Sequence, residues 1–399
     1  MGKRVAATAA FALAGSTLLA MPAHAATKTI VIWSDGNRAA AIKTLFKKGF
    51  KGAKVTVITK DFGVIRDTLK TVSVANAPDV IIAAHDWTGQ LVADGSVVKL
   101  ILSTAVKKSV NASALNGFSY NGGVYGMPVQ TENVALITNR TLIKTAPKNF
   151  ATLEAQAKAA LANGATVGLA VPMGDAYHDY PLFSGLGGYI FGTTNGKINV
   201  FKLGVANKKF LSHASLIDKW VKDGVISANV DYGTAKDAFV KGKAPFWITG
   251  PWEHDTIKGL TFPHTITVVP QIVAGITVTP FAGYQGFMVT KFAAKHGVST
   301  LARTMVGSYL STAAAQTPLA SLNGRAPANL VAAGKLKDPI IKAFGSAGKI
   351  ATPMPNVPEM AAVWGALGDA WKATSASTNP VPAAKAFTDA SNKIYNLIN

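Results

Sequence analysis

The chain has 399 residues, is 49% hydrophobic and carries only 15% charged residues, below the usual share of about 25%. Its 40 basic and 20 acidic residues give a net charge of +20, yet no block of five or six like charges occurs, so the sequence gives no nucleic-acid-binding pattern. The absence of cysteine excludes disulfides, thiol catalysis and cysteine metal sites.

Residues 1–25 read as a secretory signal. Lys3 and Arg4 precede an apolar stretch from Val5 to Met21, and Ala23-His24-Ala25 is a small-residue cleavage site. With no cysteine at the junction to carry a lipid, the exported protein is expected to be free in a bacterial periplasm. No later segment offers about 20 uninterrupted apolar residues, so no transmembrane helix is expected.

Strand and helix signals then alternate. Lys28–Trp33 is a short β-branched strand, and Ile42, Leu45, Phe46 and Phe50 give helical spacing over 38–50. Lys54–Thr59 reads as a strand, 65–74 as a helix and Val80–Ala84 as a buried strand. This βαβαβ opening predicts a parallel sheet with helices on both faces. Further along, 150–162 is an Ala-rich helix stopped by Asn163-Gly164. Val167–Val171 is a strand, and 180–189 and 216–223 are helices. Asp231 caps a helix to Val240, and Ala244–Thr249 is a strand. The last third reads as helices over 299–310, 313–321, 339–344, 360–374 and 382–397.

Three strand ends carry polar and aromatic residues together: Ser34 to Arg38, His85-Asp86-Trp87, and Thr249 to Trp252. Ligands of open α/β sheets bind at the carboxyl ends of strands. Carbohydrate suits this mixture, because its hydroxyls pair with charged side chains and its C–H faces lie flat on aromatic rings. Tyr177 and Tyr180 fall in a predicted loop, and Trp364 just inside a helix. Each aromatic taken singly also fits core packing. Asp86 has an alternative role as the cap of a helix at 87–93, and His85 reads as a structural hydrogen bonder. For catalysis, Asp86 and Glu132 are the candidate carboxylate pair, but no spacing supports a glycosidase. No nucleophile elbow, phosphate loop or zinc motif appears, and no cofactor is expected.

Six segments resemble the maltose/maltodextrin-binding proteins of ABC importers: "IVIWSDGNR" (30–38), "PDVIIAAHDWTGQLVADGSVVKL" (78–100), "YNGGVYGMPVQTENVALITNRTLI" (120–143), "YPLFSGLGGYIFG" (180–192), "DYGTAKDAFVKGKAPFWITGPWE" (231–253) and "MPNVPEMAAVW" (354–364). The resemblance implies an α/β fold of two lobes, the type II periplasmic binding protein fold, joined by three crossovers. It places the N-terminal lobe at 26–130 and 283–323, and the C-terminal lobe at 135–270 and 328–399. The crossovers fall near 129–134, 269–281 and 323–327. It also implies a monomer that binds an oligosaccharide and delivers it to a membrane permease.

Carried over by position, Asn37 and Arg38 stand where the family places an acidic and a basic residue against sugar hydroxyls. Asp86, Glu132 and Asp175 match hydroxyl-binding carboxylates, while Tyr177, Trp252 and Trp364 match stacking rings. Ala83 replaces an aromatic platform, for which Trp87 is the candidate substitute. Gly365 and Gly368 replace larger side chains beside Trp364, which implies a less crowded and differently charged pocket.

Overall fold

The computed structural model describes residues 27–399; the predicted secretory signal lies outside them. Two sheets organise the chain. The larger has the order Ala326–Pro327, Gly126–Glu132, Phe281–Val289, Val80–Ala84, Thr29–Ser34, Lys54–Thr59, with Thr352–Pro353 joined to the start of Phe281–Val289. The strands Thr29–Ser34, Lys54–Thr59 and Val80–Ala84 run parallel, as the opening pattern predicts. The smaller sheet has the order His264–Thr267, Ala135–Asn139, Phe246–Thr249, Leu169–Ala170. Every residue of Val80–Ala84 is buried, as expected for a strand covered on both faces.

The apolar side chains divide accordingly. One core gathers Ile30 to Val129 with Ala282 to Ala328, around the larger sheet. A second gathers Val134 to Phe281 with Met354 to Ile394, and a third, smaller one packs Phe344 and Ala347 on the other face of the second sheet. This is the two-lobed α/β fold. Between Glu132 and Ala135 the chain passes from one sheet to the other. Ala326–Pro327 still pairs with the first sheet, and Ala328 still packs in its core.

Several helix limits differ from the sequence-based expectation. The helix expected over 38–50 is Gly36–Leu45, because Asp35 caps it by accepting from the Arg38 N–H. The helix expected over 65–74 is Phe62–Thr71, capped by Asp61. The segment Ala176–Gly185 is helical, so Tyr177 and Tyr180 are on a helix and not in a loop. Tyr180 is a core residue, 4% exposed, with its ring stacked on Phe281 at 3.4 Å. The α-helix starting at Ser299 stops at Thr304 and continues as a π-turn, Met305–Tyr309.

Candidate functional site

Two adjoining cavities open between the lobes. One, of about 440 Å³, is lined by Phe62, Arg66, Asp86, Trp87, Tyr177 and Trp364, among others. The other, of about 490 Å³, is lined by Asp35, Asn37, Arg38, Lys60, His178 and Arg325, among others. They share Phe62, Glu132, Asp175, Trp252 and Gln285. Both volumes lie in the range of about 300–1,000 Å³ common for small-molecule sites. All nine candidate residues border one cavity or both, although they come from distant stretches of chain.

Asp86 sits in a short 3-10 turn, His85–Trp87, after Val80–Ala84. The following helix, Thr88–Ala93, has no side-chain cap, so Asp86 does not serve as one. Its carboxylate instead accepts the Trp364 indole N–H at 3.1 Å. Burial pushes its pKa up to about 6, only partly opposed by the Trp364 hydrogen bond. His85 faces away from the cavities: its Nδ1 accepts from the Tyr284 N–H at 3.2 Å and its Nε2 donates to the Met354 carbonyl at 3.1 Å. That fixes a neutral tautomer, and burial lowers its pKa to about 4.

Glu132 is buried at the end of Gly126–Glu132. Its Oε1 accepts from Gln285 at 2.8 Å, its Oε2 is ion-paired to Arg325, and Arg38 Nη2 stands 3.8 Å away. Burial alone raises its pKa, but the Arg325 and Arg38 guanidiniums outweigh it and hold the carboxyl below its usual range. A carboxylate offers about four acceptor positions, so Glu132 keeps capacity for a ligand hydroxyl. Arg38 is buried, ion-paired to Asp35, and its guanidinium lies 5.0 Å from the Phe62 ring.

Asp175 is largely committed to its own helix. It caps Ala176–Gly185, accepting from the Tyr177 N–H at 3.0 Å, and its other oxygen meets His178 Nδ1 at 2.8 Å. Asn37 is exposed at the rim of the outer cavity. Trp87 is 6% exposed and packs on Phe62 at 4.6 Å, so it is a wall whose edge reaches the cavity.

The aromatic wall of the second lobe is a connected group. Trp252 lies 6.0 Å from Tyr177 and 5.3 Å from His178, and Trp364 meets Phe281 edge-on at 5.8 Å. Trp252 folds back over Gly250, where an added Cβ would fall 2.2 Å from the indole. Gly365, beside Trp364, faces open space, whereas a Cβ on Gly368 would meet the Gly174 carbonyl at 2.4 Å. The missing bulk next to Trp364 is therefore real space at Gly365 only; at Gly368 the backbones approach closely.

Phe62, Arg66, Gln285, Met354, Lys60, His178, Tyr232 and Arg325 also line the cavities and were not singled out from sequence. Tyr177 OH, Gln285 Oε1 and His178 Nε2 are buried polar atoms without a protein partner. Such groups normally find one, and all three belong to residues that line the cavities. A set of fixed donors and acceptors beside flat apolar faces can bind a polyhydroxylated molecule. Among the described residues no cluster of metal-ligating side chains occurs.

A family model for bacterial extracellular solute-binding proteins matches residues 39–344. The chain is 32% identical to a maltodextrin-binding protein of Bacillus subtilis (strain 168), over 72% of this chain and 70% of the relative. It is 30% identical to a maltooligosaccharide ABC transporter solute-binding lipoprotein of Streptococcus pneumoniae (TIGR4), over 84% and 81%. It is 25% identical to a galactooligosaccharide-binding protein of Bacillus subtilis (strain 168), over 84% and 82%. All three relatives are named for binding, none for catalysis.

Proposed function

The chain belongs to the bacterial extracellular solute-binding protein family, and from that membership we propose that it captures maltodextrin-type oligosaccharides and delivers them to the permease of an ABC importer. The observation that carries the reading is the pairing of Asp86 with Trp364 across the cleft, flanked by two cavities that share Glu132 and Trp252. Sugar hydroxyls meet Asp86, Glu132 and the unpartnered Tyr177 OH, and ring faces meet Trp252 and Trp364.

The lobes follow the expected segments, 27–130 with 283–323 and 135–270 with the C-terminal part, except that Ala328 and Asn329 stay with the first lobe, so the third crossover lies beyond 327; capture is hinge closure between them. The protein works outside the cytoplasmic membrane, in a periplasm, as a monomer. Asn37 and Asp175 act at the rim, Arg38 mainly by holding its acidic neighbours, and Trp87 as a wall. Relatives named for maltodextrin and maltooligosaccharides support α-linked glucose as the unit.

A thermal-shift panel of saccharides tests the reading, because a ligand that binds only the folded state raises the melting temperature. Maltose and maltotriose are expected to raise it. A panel in which no saccharide does so sinks the proposal.

A further inference from the structure

Arg325 lies in the third expected crossover, 323–327, and is not among the candidate site residues read from the sequence. It follows Gly324, whose φ of +66° is left-handed. A Cβ on Gly324 would fall 2.3 Å from His254 Cβ and 2.8 Å from the Pro251 carbonyl. This turn is thus pressed onto the segment of the second lobe that carries Trp252. His254 is itself held by Asp255 and Asp338, each at 2.9 Å. The helix before Arg325, Ala313–Asn323, packs in the first lobe's core, and directly after Arg325 Ala326 pairs with Thr131 of the first sheet. Arg325 therefore stands at the point where the two lobes meet.

Its guanidinium touches both sides. Nε is ion-paired to Glu132, which pairs with Gly283 in the first sheet. Nη1 donates to the Asn323 carbonyl at 3.1 Å, and the guanidinium carbon lies 5.7 Å from the centroid of the Trp252 ring. The side chain is 3% exposed. A buried cation is costly unless paired, and this one is paired to a ligand-facing carboxylate on one lobe and stacked against a ligand-facing indole on the other. A planar guanidinium can form in-plane bonds while presenting a face to an aromatic ring; an ammonium cannot do both.

We propose that Arg325 is a positioning residue that sets Glu132 and Trp252 against each other and so favours the closed arrangement of the lobes. The coupling needs no contact between Arg325 and the ligand. Opening that separates Trp252 from Glu132 takes one of the two partners away from the guanidinium. Its affinity arm rests on the saccharide reading above; its conformational arm does not.

The test uses the full exported chain, which has no cysteine and so accepts spin labels at Lys47→Cys in the first lobe and Ser377→Cys in the second, both exposed positions. Interlobe distances are measured without ligand. Arg325→Gln is expected to move the distribution towards longer distances, and Arg325→Lys to give an intermediate result. A distribution for Arg325→Gln that matches the wild type overturns the proposal. If that variant does not fold, Arg325→Lys decides, and its identity with wild type is the overturning result.

Calorimetry with maltotriose supplies the second arm. Arg325→Gln and Glu132→Gln are expected to be coupled by more than tenfold in affinity when combined. Additive losses would show that Arg325 acts on folding alone and would overturn the proposal. Absence of saccharide binding in the wild type defeats the saccharide reading, and the distance measurement then decides the role of Arg325 by itself.

Discussion

The Trp364 indole N–H and the Asp86 carboxylate meet at 3.1 Å across the cleft, one from each lobe. The contact joins a helix of the second lobe, Ala361–Thr374, to the turn after Val80–Ala84 in the first. It explains how a carboxylate comes to be buried there, but one indole N–H does not offset the desolvation of the charge, which leaves the pKa near 6.

Asp86 therefore costs stability at neutral pH. Between about pH 4 and 6 the folded state keeps a proton that the unfolded chain has lost, so stability falls as pH rises through that window. A shift of this size is worth about 3 kcal/mol. Asp86→Asn keeps an acceptor for Trp364 and removes the charge. It is expected to raise the ligand-free melting temperature at pH 7 by several degrees while weakening saccharide binding at least tenfold. Differential scanning calorimetry and titration calorimetry read the two effects; a lower melting temperature with unaltered affinity would contradict both.

His85, the preceding residue, has the opposite slope. Its folded pKa is about 4, below its ordinary value, so between about pH 6.5 and 4 the unfolded chain takes up a proton that the folded state refuses. Stability is complete above that window and falls as pH drops through it. His85→Gln removes this term and is expected to flatten the loss of stability between about pH 6.5 and 4. Urea unfolding at several pH values measures it. An unchanged slope would mean that the buried imidazole protonates without unfolding.

Gly250 offers a way to disturb Trp252 without touching it. Its backbone is extended, φ −116° and ψ −179°, which any residue adopts, so the constraint is the indole lying against its α-carbon. Gly250→Ala is expected to displace Trp252 and weaken saccharide binding by more than tenfold, about 1.4 kcal/mol, with the fold kept. Trp252→Ala should match it in affinity, with a nearly unchanged ligand-free melting point because Trp252 is only partly buried. Full affinity in Gly250→Ala would show that Trp252 does not need its observed pose.

How much of this was legible depended on the range of the interaction. Lys54–Thr59 and Val80–Ala84 are β-branched or apolar runs bounded by Gly or Pro, and both strands fall where the pattern placed them. Phe281–Val289 lies in the middle of the larger sheet but was not assigned, because Gly283 and Gly286 interrupt its strand signature. Those glycines answer to distant neighbours: a Cβ on Gly283 would meet Tyr177 OH at 2.8 Å, and one on Gly286 the Met127 carbonyl at 2.5 Å. Asp175 shows the local counterpart, since a helix cap three residues before His178 was readable but the expected helix began too late to reveal it. Arg325 falls in the expected crossover at 323–327, but nothing local tied it to the site; its partner Glu132 is 193 residues away.

Ligand length is the sharpest remaining test. Two cavities of about 440 and 490 Å³ share Glu132 and Trp252, so a single hexose fills one and leaves the other to water. Only one cavity contains Trp364 and Tyr177, and only the other contains Asn37 and Arg325. A linked pair of rings engages both sets at once and holds the Asp86 and Trp364 sides together. Ala83 is fully buried and lines neither cavity, so the lost platform opens no space there; Gly365 does leave open space beside Trp364, which allows more than one disaccharide to enter. Titration calorimetry with glucose, maltose, maltotriose, trehalose, cellobiose and a β-linked galactooligosaccharide resolves the order. Maltotriose and maltose are expected to bind at least 100-fold more tightly than glucose, about 2.7 kcal/mol, and more tightly than either β-linked ligand. Glucose binding as tightly as maltotriose would mean that one cavity does all the work. A β-linked ligand ahead of both maltosides would keep the sugar-binding cleft and discard the maltodextrin assignment.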